Sequence, residues 1–176
     1  MDSSDITSCA RFAFRCAASA MLAYTLAVLF RLDHPVWAPV SALVVAKSNA
    51  VDMKESSVGR FIGTILGAVV AAMAYEIGSG FGWSPTLEIG VAVAIASIAA
   101  KLRPSIRVCM WTCVVVLLTT SSDTSVQTTA FNRSCEVMLG ITISVALHAL
   151  SEQVGVWLRQ CQLNFRSRKN RLHSHL

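Results

Sequence analysis

Six apolar runs, divided by short charged links, decide what this chain can become. The first runs from about Arg11 to Phe30, close to the ~20 residues a helix needs to cross a bilayer. The second, Pro35 to about Ser48, is short and interrupted by Pro39. The third, about Val58 to Ile77, is a full span and ends in turn chemistry from Gly78 to Pro85. The fourth, Thr86 to Ala100, is short again, and the fifth runs from Ser105 to about Thr120. A polar, nearly uncharged loop, Ser121 to Thr129, leads into the sixth, from about Phe131 to Trp157. With 14% charged residues and a mean hydropathy of +0.57, against about 25% charged in a soluble domain, the expected fold is all-α. It is a polytopic membrane protein with six transmembrane helices in one bundle.

Charge decides whether the two short runs cross. If all six do, with both termini in the cytoplasm, the inner side collects Arg11, Arg15, Lys47, Lys54, Arg60, Lys101, Arg103, Arg107, Arg159, Arg166, Arg168, Lys169 and Arg171. Only Arg31 and Arg133 are left outside, a 13 to 2 split of the 15 basic residues, in the sense of the positive-inside rule. If the short runs only dipped into the membrane, later loops would change sides and the bias would be lost. The expected organisation is a cytoplasmic segment at 1–10, the six-helix domain at 11–158 and a basic cytoplasmic tail at 159–176. The start, Met1-Asp2-Ser3-Ser4-Asp5, lacks the basic region of a signal peptide, so the first run is expected to stay in the protein.

The net charge of +5 does not point to nucleic acid. Its basic residues sit at the ends of apolar runs and in the tail, where they set topology and meet anionic lipid head groups. Cys9, Cys16, Cys109, Cys113, Cys135 and Cys161 are scattered singly. Cys109 and Cys113 share a helix face but have no second ligand pair in the sequence, so they read as small packing residues and no metal is expected. Phosphate-loop, zinc-protease and nucleophile motifs are lacking, and neither an enzyme nor a cofactor is expected.

Two helix faces carry polar residues. In the third run Arg60, Gly63, Thr64, Gly67, Ala71, Ala74 and Gly78 recur at three- and four-residue steps, forming one stripe. Gly63 and Gly67 suit a tight helix seam; alternatively Arg60 and the Thr64 hydroxyl face an anionic solute at the inner mouth. In the sixth run Arg133, Glu136, Gly140, Ser144, His148, Ser151 and Glu152 form the most polar face of the chain. Titratable groups inside a span normally face a bundle interior or a wet cavity. The plainer reading pairs Arg133 with Glu136 at the outer interface and His148 with Glu152 at the inner one. Asp33 and His34 either take protons from the outer medium or form a solvated turn. Trp37 reads by default as an interfacial belt residue, the alternative being a stacking surface for an aromatic solute, and Lys47 reads as a topology anchor.

The run Arg31-Leu32-Asp33-His34-Pro35-Val36-Trp37-Ala38-Pro39-Val40-Ser41-Ala42-Leu43-Val44-Val45, followed by Arg60-Phe61-Ile62-Gly63-Thr64-Ile65-Leu66-Gly67-Ala68, resembles the membrane module of the fusaric acid resistance family. Arg133 ahead of Gly140-Ile141 also fits that family's last helix, so the resemblance covers about Arg11 to Trp157. The family includes aromatic carboxylic acid exporters and, distantly, plant aluminium-activated malate channels. The resemblance implies a six-helix bundle of the cell inner membrane that moves organic anions. Larger relatives usually carry two such modules or a sizeable cytoplasmic domain, and this chain shows one module, so a homodimer or higher homo-oligomer is expected.

The function expected is therefore export of aromatic or other organic acids, with proton exchange as the coupling. Substrate-pathway candidates are Trp37, Ser41, Arg60, Thr64, Arg133 and Ser144. Proton-handling candidates are Asp33, His34, Glu136 and His148, and helix-packing residues are Gly63, Gly67 and Gly140. The expected partners are the lipid bilayer, an organic anion and further copies of the chain. A passive anion channel and a non-transporting membrane scaffold are the alternatives.

Overall fold

The computed structural model describes residues 3–120 and 125–173, and side-chain surroundings for 6–120, 125–157 and 160. Part of the polar loop, at 121–124, and the two ends of the chain, at 1–2 and 174–176, lie outside the described residues. Six α-helices follow in order: α1 Ser3–Leu29, α2 Trp37–Val45, α3 Ala50–Phe81, α4 Pro85–Leu102, α5 Val108–Thr119 and α6 Val126–His173. A short 3-10 turn, Pro104–Ile106, precedes α5.

Local chemistry sets the helix ends. α3 begins at Ala50 rather than Val58 because the Asn49 side chain caps it, accepting the Val51 N–H at 2.9 Å. Its first turns carry Asp52, Lys54 and Glu55, which hid them from a search for apolar runs. Ser84 caps α4, with Pro85 at the first helical position. α1 closes at Arg31, whose φ of 54° lets the Leu32 N–H reach the Ala27 carbonyl at 3.1 Å. α6 continues through the basic segment to His173, so what reads in the sequence as a polar tail is helical backbone.

Ile6–Leu29, Ala50–Phe81, Pro85–Leu102 and Val126–Trp157 are each long and apolar enough to cross a membrane. Large apolar side chains stand outward along them, with Phe14 77%, Met21 71% and Phe131 68% exposed. So much outward apolar surface belongs in lipid. The chain is an all-α polytopic membrane protein.

α2 has nine residues, about 14 Å of helix, which is half a bilayer core. The segment around it nevertheless traverses. At one end Asn132 Nδ2 donates to Asp33, and at the other Arg15 donates both to the Lys47 carbonyl and to His148 Nδ1. Residues 33–47 therefore run beside α6 from Asn132 to His148, about 24 Å at 1.5 Å per residue. Helix supplies the middle of the crossing, a turn at Pro35–Val36 leads into it, and extended backbone at Ala46 leads out. Backbone groups freed at those ends need partners: the His34 N–H finds Glu136, the Val44 carbonyl finds Ser56 Oγ at 3.3 Å, and the Lys47 carbonyl finds Arg15.

The core is built mainly of small residues. Val70, Ala71, Ala74, Ala92, Ala96, Cys109, Cys113 and Val116 gather α3, α4 and α5, while Ala23, Ala27, Ala38, Ala42 and Ile143 gather α1, α2 and α6. Lipid supplies little hydrophobic drive between helices, so close backbone approach and van der Waals packing hold them. α3 and α5 run side by side in the same direction. A Cβ on Gly63 would strike Val108, and one on Gly67 would lie 2.7 Å from the Cys109 carbonyl. On α6, a Cβ at Gly140 would strike the Ala38 carbonyl and lie 2.9 Å from Ser41 Cβ.

Gly140→Ala is expected to lower stability by about 1–3 kcal/mol through overpacking against α2. Gly80→Ala, where an added Cβ meets nothing within 4 Å, should leave the unfolding temperature of the detergent-solubilised protein unchanged or raise it. Equal unfolding temperatures for Gly140→Ala and wild type would contradict the seam.

Candidate functional site

α3 carries Arg60 and Thr64 one turn apart on the face turned inward. Arg60 is 2% exposed. Its Nη2 donates to Ser41 Oγ of α2 at 3.2 Å, and its guanidinium lies 5.0 Å from the Trp111 ring of α5. Nε and Nη1 have no hydrogen-bond partner, and neither does the buried Thr64 hydroxyl. An arginine carries five N–H donors, and leaving the three on Nε and Nη1 dry is costly unless something polar fills the gap. Arg60 also lines a cleft of about 790 Å³, with Lys47, Arg107, Asp52, Glu55 and Trp111 among the other walls. The cleft opens at the end of the bundle where most basic residues gather.

On α6 the same theme recurs toward the opposite end. The Arg133 guanidinium carbon lies 3.7 Å from the Trp37 ring centroid, a cation–π contact that desolvation strengthens. Trp37 thus stacks on a cation of the chain itself. Arg133 Nη1 stands 4.0 Å from Glu136 Oε2, with side chains 4% and 1% exposed. At that distance the two attract but do not hydrogen-bond. Arg133 Nε and Nη1 and Glu136 Oε2 are unpartnered, while Glu136 Oε1 accepts the His34 N–H at 2.9 Å. Ser41 and Trp37 are one turn apart, so two guanidinium groups lean on successive turns of the same short helix. Both present unfilled donors.

The structure thus brings Trp37, Ser41, Arg60, Thr64, Arg133 and Glu136 together around α2. Gly140 makes the room, since its missing Cβ lets Ser41 approach α6. His148 lies apart, about 18 Å along α6 from Glu136, where it accepts from Arg15 instead of pairing with Glu152. Glu152 lines a small cleft with Arg11, Arg15 and Ser48. Ser144 is buried between the two groups. Asp33 is exposed and bonded to Asn132, and His34 contributes its backbone N–H. Cys109 and Cys113 are buried, and each thiol donates to a helix carbonyl, of Ala96 and Met110 respectively.

Arg15, bonded to His148, and Trp111, beside Arg60, are further candidates that the sequence pattern does not single out. Arg15 had a signal, a charge inside an apolar run. Trp111 had none, because only the packing of α5 against α3 brings it over Arg60.

A family model described as "Fusaric acid resistance protein-like" matches residues 22–147, well over half of the chain. A stretch of 63 residues, 36% of the chain, is 38% identical to the Uncharacterized transporter YdhK of Escherichia coli strain K12. The same identity is found with the protein of that name in Escherichia coli O157:H7. The match spans 9% of the length of these relatives. No solved structure matches the chain.

Buried charges held this loosely are expected to reduce stability. Glu136→Leu alone should destabilise the solubilised protein by about 3 kcal/mol or more, because it strands Arg133 in the bundle. Adding Arg133→Met should restore wild-type stability or exceed it by about 1–4 kcal/mol. Additive losses in the thermal unfolding of the two single variants and the double variant would show that the pair is not coupled.

Proposed function

The chain belongs to the fusaric acid resistance protein-like family, and from that premise we propose that it is a membrane transporter of aromatic or other organic acid anions. One observation carries this reading: a deeply buried arginine, Arg60, heads an open cleft with two donor nitrogens and a neighbouring hydroxyl unfilled. A carboxylate matches a guanidinium fork in charge and in geometry. Trp111 beside Arg60 offers an aromatic wall to a ring-bearing anion.

In this reading the anion enters the cleft, meets Lys47 and Arg107 at its rim and docks on Arg60, with Thr64 and Ser41 as hydroxyl partners. Arg133, stacked on Trp37, is the next cation along α2. Ser144 lies farther along the same α6 face. Asp33, His34, Glu136 and His148 are the groups able to handle protons, two of them in the link before α2 and two within α6. The six-helix domain lies at 11–158, with the segments 1–10 and 159–176 in the cytoplasm. The 13 to 2 bias of basic residues supports this orientation, in which the cleft faces the cytoplasm. The cell inner membrane is the location proposed, and a homodimer or higher homo-oligomer is the working unit. Relatives that name a transporter support the transport class. Chemical cross-linking in native membranes tests the assembly.

Purified protein in liposomes is expected to move at least one of fusaric, 4-hydroxybenzoic and malic acids. Arg60→Gln should lower that flux about 10- to 100-fold, the loss of a charged hydrogen-bonded contact worth about 1.5–3 kcal/mol, while Gly80→Ala keeps it. Failure of all three acids to move, with or without a pH gradient, would sink the transporter reading. Undiminished flux in Arg60→Gln would remove Arg60 from the pathway.

A further inference from the structure

Glu136 is 1% exposed, and its surroundings are ill-suited to a permanent ion pair. Oε1 has the His34 N–H, Oε2 has nothing, and the cation stands off at 4.0 Å. A carboxylate free to settle on an arginine closes to about 2.8 Å and uses two donors. This one is prevented from doing so. Glu136 and Arg133 are three residues apart on one helix, its carboxylate is tethered to the α2 end, and the guanidinium is laid on Trp37 at 3.7 Å. Arg133 is left with two donors that an outside carboxylate could fill better than the resident one.

We propose that Glu136 is the resident counter-ion of Arg133, that a substrate carboxylate displaces it there, and that the displaced Glu136 takes up one proton, so that anion and proton travel together instead of in exchange. The inference rests on the reading that this bundle moves organic acid anions. Once the substrate fills Arg133, Glu136 is a buried anion with one neutral N–H and no cation in contact, a costly state. The charged groups facing it from other elements do not relieve it. Arg60 of α3 is bonded to Ser41, seven residues beyond His34 and so about 10 Å farther along the crossing. Asp33 has the wrong sign and is occupied by Asn132. The His34 ring lies in the exposed link.

Protonation resolves the excess charge with a simple balance. An O–H bond forms at Oε2, the proton comes from water at the Asp33–His34 end, and Oε1 continues to accept the His34 N–H. Linkage is reciprocal, so the proton favours the anion as much as the anion favours the proton. An exchanger needs the opposite sign. Docking on Arg60 alone requires no proton, and the step onto Arg133 adds one. For a monocarboxylate the travelling pair is neutral, and the membrane potential does not drive it.

The test is calorimetric titration of the full chain in nanodiscs with 4-hydroxybenzoate, in paired buffers of different ionisation heat, between about pH 6 and about pH 8, where the ligand carboxylate stays ionised. Wild type should take up about one proton per anion bound, and its affinity should tighten by up to about tenfold per unit fall in pH. Glu136→Gln, a neutral stand-in for the protonated acid, should bind at every pH as wild type does at its most acid, with no uptake. Gly80→Ala, where an added Cβ meets nothing within 4 Å, should keep the uptake. Binding by wild type without uptake, or with proton release, overturns the proposal even if Glu136→Gln fails to fold. Uptake that persists in Glu136→Gln and vanishes in His34→Gln overturns it as well. Absence of binding at any pH overturns both this proposal and the transport reading, whereas pH-independent binding overturns this proposal alone.

Discussion

Everything in this bundle answers to one constraint: a nine-residue helix has to serve as a membrane crossing. The hydrocarbon core offers no water to backbone groups, so an N–H or C=O beyond the ends of α2 that no local turn satisfies needs a partner from another helix. Glu136 of α6 takes the His34 N–H at one end and Arg15 of α1 takes the Lys47 carbonyl at the other. The signs suit the helix, with an acid near its amino end and a cation near its carboxyl end. Charged residues that would be anomalous in a lipid-facing span are thus partly explained by the broken helix they support.

The same short helix creates the site. Because α2 fills only the middle of the crossing, Ser41 and Trp37 stand where long side chains from α3 and α6 can reach them, and Arg60 and Arg133 do so. Gly140 allows α2 to sit against α6, and Gly63 and Gly67 allow α5 to sit against α3, which brings Trp111 beside Arg60. Small residues give little packing energy of their own. What they give is proximity, and proximity lets two buried guanidinium groups share one narrow interior. Their unfilled donors mark a structure prepared for an anion rather than one maximised for stability.

The two ends of the bundle differ in kind. At the basic end a cleft of about 790 Å³ reaches Arg60. At the opposite end the Asp33–Asn132 contact, the His34–Glu136 hydrogen bond and the Trp37–Arg133 stack close the space above it. Such an arrangement is open on one side of its central cations and shut on the other.

Much of this was legible in the residues. Six apolar runs and a 13 to 2 charge bias required an all-α polytopic chain, because no other arrangement hides so much apolar surface and keeps the cations on one side. The Arg60–Gly78 and Arg133–Glu152 stripes followed from helical period alone, and the motif around Trp37 and Arg60 pointed to the family. Helix ends were less legible: α3 reaches back to Ala50 through charged turns, and α6 runs on to His173, because polar helix carries no apolar signature. The Arg133–Glu136 pair was legible from its spacing on one helix, but partnerships between helices were not. His148 turned to Arg15, Trp37 to Arg133 and Trp111 to Arg60, each choice made across sequence separations that no local pattern encodes. The sequence by itself determined that the chain lives in a membrane as helices and which faces are polar, because hydrophobicity and period are local properties. Only the tertiary structure decided which buried charges meet and which donors stay empty, because that depends on how closely backbones approach where glycine and alanine permit it.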